Sequence, residues 1–81
     1  MWKCGIIDGC QWEAKVFDNG SHFGIDDGRI SKLYIYGPNG EVLCVYERGW
    51  HGERPSDGIM GLVNKIVALF PVPKADLKEN V

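Results

Sequence analysis

The sequence predicts an α+β domain: an antiparallel sheet of about four strands, built as two hairpins, with one C-terminal helix packed across one face. Three observations predict it. Residues 2–48 fall into short apolar runs separated by glycine-containing turns. Two of those turns, Asp8-Gly9 and Gly37-Pro38-Asn39-Gly40, carry hairpin chemistry. Beyond Pro55 the apolar spacing changes to steps of three and four, which is helical. Eighty-one residues hold one domain, 1–81, around one core.

The first strand is expected over 2–7 and its return over 10–17. Asp8-Gly9 suits a two-residue type I′ turn, whose central positions both need φ > 0. That turn sets Ile7 opposite Cys10, Gly5 opposite Trp12 and Lys3 opposite Ala14. With Val16 these make one mainly apolar face. The other face sets Trp2, Cys4 and Ile6 across from Lys15, Glu13 and Gln11. Cys4 and Cys10 then point to opposite faces, which disfavours a bridge between them.

Asp18 to Gly28 reads as an irregular loop, with Phe23 and Ile25 tucked against the core edge. The third and fourth strands are expected over 29–36 and 41–48, joined by a type I turn closed by a glycine bulge. This loop places Leu33 opposite Val45 and Ile35 opposite Leu43 on the core side. It places Tyr34 with Cys44, Lys32 with Tyr46, Ile30 with Arg48 and Tyr36 with Val42 on the outer side.

Gly49 to Pro55 is a second irregular loop. Ser56 is the expected helix N-cap, and Asp57 suits the positive end of the helix dipole. The helix is expected over 57–70, with Ile59, Leu62, Val63, Ile66, Leu69 and Phe70 as its stripe and Met60 and Val67 widening it. Gly58 and Gly61 favour fraying of the first turn. Pro71 and Pro73 end the helix, and 71–81 forms a polar tail that Leu77 could dock. Leu33, Ile35, Leu43, Val45, Trp12 and Val16 are the expected sheet contribution to the core.

Composition removes several function classes. The chain is 44% hydrophobic and 25% charged, which argues against disorder. Nine Lys+Arg against eleven Asp+Glu give a net charge of −2, so a nucleic-acid partner is not expected. No apolar run is long enough for a membrane span, and Met1-Trp2-Lys3-Cys4 lacks the pattern of a signal peptide. Three cysteines without a CxxC read as reduced thiols, and no spacing with His22 or His51 suits zinc.

Catalytic machinery is equally sparse. His22 and His51 lie in glycine-rich loops without motif partners, and Cys44 is expected mid-strand, a poor place for a thiolate. Asp26 and Asp27 beside Gly28 read as a turn. No phosphate-cradling glycine motif occurs. The expectation is a protein that is not an enzyme and carries no cofactor and no metal.

One cluster carries chemistry. Lys32, Tyr34, Tyr36, Tyr46 and Arg48 share the outer face of the second hairpin. Arg29 opens the strand, and Trp50, His51 and Arg54 lie in the adjoining loop. Aromatic faces offer stacking and cations offer charge-assisted hydrogen bonds, as a planar anionic ligand such as a nucleotide requires. The competing readings are a solvated strand face with lysine and arginine stems lying over tyrosines, and a homodimer through this face. Trp50 reads as a core lid or as a stacking partner. Arg54-Pro55 could help an anion at the helix N-terminus, where Asp57 competes with it. The chain holds eleven glycines, about twice the usual share. Those outside the hairpin turns, Gly20, Gly24, Gly28, Gly49 and Gly52, fall in the two irregular loops and suggest the rim of a binding surface.

The runs Ala14-Lys15-Val16-Phe17, Ser21, Phe23-Gly24-Ile25, Gly28-Arg29-Ile30-Ser31-Lys32-Leu33 and Tyr46-Glu47-Arg48-Gly49-Trp50 resemble a family of small uncharacterised proteins of phages and prophages of Gram-positive bacteria, a domain of unknown function. The likeness covers about the first fifty residues. It supplies no catalytic residues. It implies a viral or prophage origin and action in the cytoplasm of the bacterial host. Together with the cluster it gives an expected function: a non-enzymatic counter-defence protein that sequesters an anionic, nucleotide-like immune signal. Lys32, Arg48 and Arg54 would meet the negative groups, and Tyr34, Tyr46 and Trp50 would stack on the base. The alternatives are an inhibitor docking on a host defence enzyme such as a CRISPR effector, and a virion or assembly accessory.

Overall fold

The computed structural model describes residues 1–73. The expected docking of Leu77, and the tail over 74–81, lie outside the described residues. Four strands, β1 (Trp2–Ile7), β2 (Cys10–Val16), β3 (Ile30–Tyr36) and β4 (Val42–Glu47), form one antiparallel sheet in the order β1-β2-β3-β4. One helix, α1 (Asp57–Val67), follows. The fold is α+β, as the sequence predicts.

The first hairpin has the predicted register at every pair from Trp2↔Lys15 to Ile7↔Cys10. Asp8 (φ 50°) and Gly9 (φ 80°) both sit in the left-handed region, as the tight turn requires. Cys10, Trp12, Ala14 and Val16 are buried on one face of β2.

The second hairpin starts in the predicted register and then leaves it. Gly37 donates to the Glu41 carbonyl (2.7 Å), Gly40 turns at φ 83°, and Tyr36 pairs with Val42. A bulge at Leu43 then shifts β4 by one residue. The remaining pairs are Ile35↔Cys44, Tyr34↔Val45, Leu33↔Tyr46 and Lys32↔Glu47. Cys44 and Tyr46 therefore enter the core, and Val45 leaves it for the outer side beside Tyr34. Leu43, the extra residue, is half-buried and still packs against the core. Val42 to Tyr46 is apolar throughout, so no alternation pins the strand to one register. The shifted register gains a hydrogen bond from the Tyr46 hydroxyl to the Phe23 carbonyl (2.9 Å) and an edge-on contact of Tyr46 with Trp50 (4.9 Å).

A second bulge lies between β2 and β3. Lys15 pairs with Lys32 and Val16 with Ile30, which leaves Ser31 as the extra residue. Ile30 consequently turns inward and is buried, in place of its predicted outer position.

The helix begins at Ser56, whose carbonyl accepts from Met60 (2.8 Å) while its side chain makes no cap bond. It ends at Val67, three residues short of the prediction. Leu69 and Phe70 donate to the carbonyls of Ile66 and Val67, a tightened last turn before Pro71. Met60, Val63 and Ile66 are buried against the sheet, with Ile59, Leu62, Val67 and Phe70 partly buried around them. Leu69 faces away from the core.

The 18–28 loop is held by its own backbone. Ser21 donates to Gly28, Gly24 to Ser21, Asp27 to Gly24 and Gly28 to Ile25. A Cβ on Gly20 would lie 2.5 Å from the Asp27 carbonyl oxygen, and one on Gly24 would collide with that of Gly28. Glycine here permits close backbone approach. Ile25 plugs the core as predicted, while Phe23 is 51% exposed.

Candidate functional site

Lys15 and Lys32 stand directly opposite each other across the β2–β3 ladder. Like charges in that relation are destabilising, by up to about 1 kcal/mol. Arg48 follows β4 in the left-handed region (φ 63°), with its amide donating to the Ser31 carbonyl at the β3 bulge (2.8 Å). The three cations meet at one corner of the outer side, where the 18–28 loop brings in Ser21 and Phe23. Lys15, Phe17, Ser21, Phe23, Ser31, Lys32 and Arg48 line a concavity of about 300 Å³.

The three ionisable side chains lining this corner, Lys15, Lys32 and Arg48, are all cations. Among the described residues the only ion pair is Lys65–Asp8 (2.8 Å), and none of Lys15, Lys32 and Arg48 has a carboxylate partner. Glu47, paired with Lys32 in the ladder, accepts the hydroxyl of Tyr34 instead. The cations lie against rings: the Arg48 guanidinium is 4.1 Å from the Phe23 centroid, and the Lys15 ammonium 5.5 Å from that of Phe17. Phe17 and Phe23 are both about half exposed, so apolar surface and unpaired positive charge adjoin in one place.

The structure divides the predicted cluster. Lys32 and Arg48 are brought together. Tyr46 is a core residue, in place of its predicted outer position. Burial, and then the charges of Asp26 and Asp27, push its phenol pKa up. Trp50 packs on Tyr46 and is the core lid of the two readings. Tyr34 lies on the outer side, stacked on Trp2 at 6.2 Å. Its pKa is pushed up to about 12, first by the hydrogen bond it donates to Glu47 and then by burial. Tyr36 is raised by burial and by Glu13, which accepts its hydroxyl at 3.3 Å. Both hydroxyls are thus committed to carboxylates, which makes the middle of the sheet a poor place for a phosphate.

Arg29 serves the scaffold. It donates to the Phe17 carbonyl (2.7 Å) and the Pro71 carbonyl (3.3 Å) and lies 5.9 Å from the Phe70 ring, tying β2 to the segment after α1. His51 and Arg54 are exposed in the 48–56 loop and do not line the concavity. The His51 amide instead bonds the Val45 carbonyl (3.1 Å).

Burial pushes the Cys44 thiol up to about 11, far from a thiolate at neutral pH. Among the described residues no three His, Cys, Asp or Glu side chains are grouped to hold a metal, and no helix is long and apolar enough to cross a membrane.

A family model for a domain of unknown function, DUF7678, matches residues 1–71. The chain belongs to the DUF7678 family. The DUF7678 match runs beyond the first fifty residues that carry the resemblance and takes in the whole of α1. No curated protein and no solved structure matches the chain. All the residues lining the concavity fall within the runs on which the resemblance rests. Lys15, Phe17, Ser21, Phe23 and Ser31 are the site residues that sequence reasoning missed. The available signal was the shared outer face of Lys15 and Lys32. Using it requires the β2–β3 register, which no tight turn supplies.

Proposed function

We propose that this protein is a non-enzymatic binding protein that sequesters an anionic, nucleotide-like ligand at the Lys15–Lys32–Arg48 corner. The observation that carries the reading is three cations without a carboxylate partner among the described residues, two of them opposed in the ladder, beside two half-exposed phenylalanines around one concavity. A bound anion converts the lysine–lysine opposition from a cost into two charge-assisted contacts. The serine hydroxyls add donors, and Phe17 and Phe23 offer apolar and stacking surface to a base. The phage or prophage origin that the resemblance implies supplies the setting: a counter-defence protein in the host cytoplasm that holds a nucleotide immune signal without turning it over.

Isothermal titration against a panel of cyclic dinucleotides and ADP-ribose derivatives tests this reading. One member should bind in the micromolar range or tighter. Arg48→Ala or Lys32→Ala should weaken it by roughly 10- to 100-fold, the worth of one charge-assisted hydrogen bond. Absence of heat from every member, at protein well above micromolar, refutes it. The exposed Phe17 and Phe23 beside Arg48 also suit the anchors of a protein interface. An inhibitor of a host defence enzyme is therefore the second reading. It predicts a stoichiometric partner captured from host lysate and lost in Arg48→Ala.

A further inference from the structure

The two edges of the sheet differ. At β4 the chain folds back on itself: Tyr46 bridges Trp50, the Glu47 amide bonds the Gly49 carbonyl (2.9 Å), and that of His51 bonds the Val45 carbonyl (3.1 Å). The bulge at Leu43 interrupts the rest of that edge. Covering and bulging are the usual protections of an edge strand. β1 has neither. It is six residues long, without proline or bulge, and no other strand of the described residues pairs with its outer side.

The register of the first hairpin says which groups this edge offers. Met1 and Val16 exchange both backbone hydrogen bonds (2.8 and 3.0 Å), so Met1, Lys3, Gly5 and Ile7 direct their amides and carbonyls toward β2. The amides and carbonyls of Trp2, Cys4 and Ile6 therefore point outward. The side chains of the same three residues lie on the outer side of the sheet and are exposed, Trp2 at 51% and Ile6 at 71%.

We infer that β1 pairs with β1 of a second copy of this chain, antiparallel about a two-fold axis at Cys4. In that register Cys4 meets the partner's Cys4, Trp2 meets the partner's Ile6, and Ile6 meets the partner's Trp2. Every outward-pointing amide and carbonyl of the strand is then satisfied, and the two exposed apolar side chains cover each other. Charge selects the same arrangement. Moving the axis to Lys3 would set two lysines face to face, whereas the Cys4 axis sets Lys3 opposite the partner's Gly5. The result is a continuous eight-stranded sheet. No β1 residue lines the cationic corner, so the pairing leaves that site open and is independent of the proposed function. An edge pairing of six residues is small beside a standard interface, so the dimer is concentration-dependent.

The test uses the full chain. Sedimentation equilibrium at high micromolar concentration should give twice the monomer mass, falling toward the monomer on dilution. Mild oxidation should trap the dimer as a Cys4–Cys4 disulfide, because opposed residues in such a pair lie about 5.5 Å apart at Cα, within disulfide range. Cys4→Ser should abolish the trapped species and leave the reversible dimer. Ile6→Lys, at a site too exposed to disturb the fold, should give a monomer, while Val42→Lys at the other edge should not. A wild-type chain monomeric throughout that range overturns the inference. So does a dimer that persists unchanged in Ile6→Lys, or one that oxidation fails to trap through Cys4.

Discussion

Gly24→Ala isolates one physical effect. Gly24 has extended backbone (φ −82°, ψ 155°), which alanine adopts freely. Were space available, the substitution would stabilise by about 0.4–1 kcal/mol through the unfolded chain. Space is not available, because the new Cβ would fall well inside 3.0 Å of the Gly28 carbonyl oxygen, a backbone atom that cannot rotate away. The loop must open between its two ends. Overpacking of this kind costs roughly 1–3 kcal/mol. The displacement also carries away the Phe23 carbonyl that accepts the Tyr46 hydroxyl, a loss of about 1 kcal/mol more.

The expected change is therefore a destabilisation of about 2–4 kcal/mol, in a domain whose whole stability is of order 4–12 kcal/mol. For a chain of this length the melting temperature should fall by roughly 10–30 °C. Urea and thermal unfolding followed by tryptophan fluorescence read it directly. Gly49→Ala is the control. Its Cβ would meet nothing within 4 Å, so it should stabilise by about 0.4–1 kcal/mol through the unfolded chain. The sign decides the matter: a Gly24→Ala protein as stable as Gly49→Ala, or more stable than wild type, refutes the close-packed loop.

Two further outcomes follow from the helix and the outer side of the sheet. Gly58 and Gly61 lie in α1 with open space around both. Replacing each with alanine should stabilise by about 0.5–1 kcal/mol, seen as a higher urea midpoint at unchanged slope. The raised pKa of Tyr34 means that the fold holds its proton more tightly than the unfolded chain does. Its contribution is complete below pH 10 and is lost as the pH rises toward about 12. Glu47→Gln should return one tyrosinate absorbance step toward 10 and remove that part of the alkaline decline.

The first hairpin was fully legible because Asp8-Gly9 admits one turn geometry, and that geometry fixes every pair behind it. The second was legible only to Tyr36↔Val42. Beyond that pair the run Val42 to Tyr46 offers no polar alternation to resist a bulge, and the shifted register buries Tyr46. The predicted outer tyrosine was lost through that one-residue shift. Two of the three cations of the corner were readable, since Lys32 and Arg48 belong to one hairpin. Lys15, Phe17 and Phe23 reach it across the 18–28 loop, and a connection of that length carries no register information. Of the two glycine-rich loops, the 18–28 loop borders the concavity, to which it brings Ser21 and Phe23. Gly20, Gly24 and Gly28 permit close backbone approach in that loop, so the surplus there serves packing rather than flexibility.

Three irregularities converge on that corner: the bulge at Ser31, the close-packed loop, and Arg48 in the left-handed region with a glycine immediately after it. A non-glycine residue in that region costs roughly 1–2 kcal/mol, and strain of this kind gathers where a side chain must be aimed. Arg48 is aimed at Phe23, and its amide reaches the bulge itself. Arg48→Gly and Arg48→Ala remove the same guanidinium, with its cation–π contact of about 0.5–1 kcal/mol. Only glycine also relieves the backbone. Arg48→Gly should therefore be about 1 kcal/mol more stable than Arg48→Ala and close to wild type, while both should weaken the proposed anion binding alike. Two variants that melt together would mean that the backbone stores nothing there. In that event the placement of the guanidinium over the concavity would follow from local chain geometry alone.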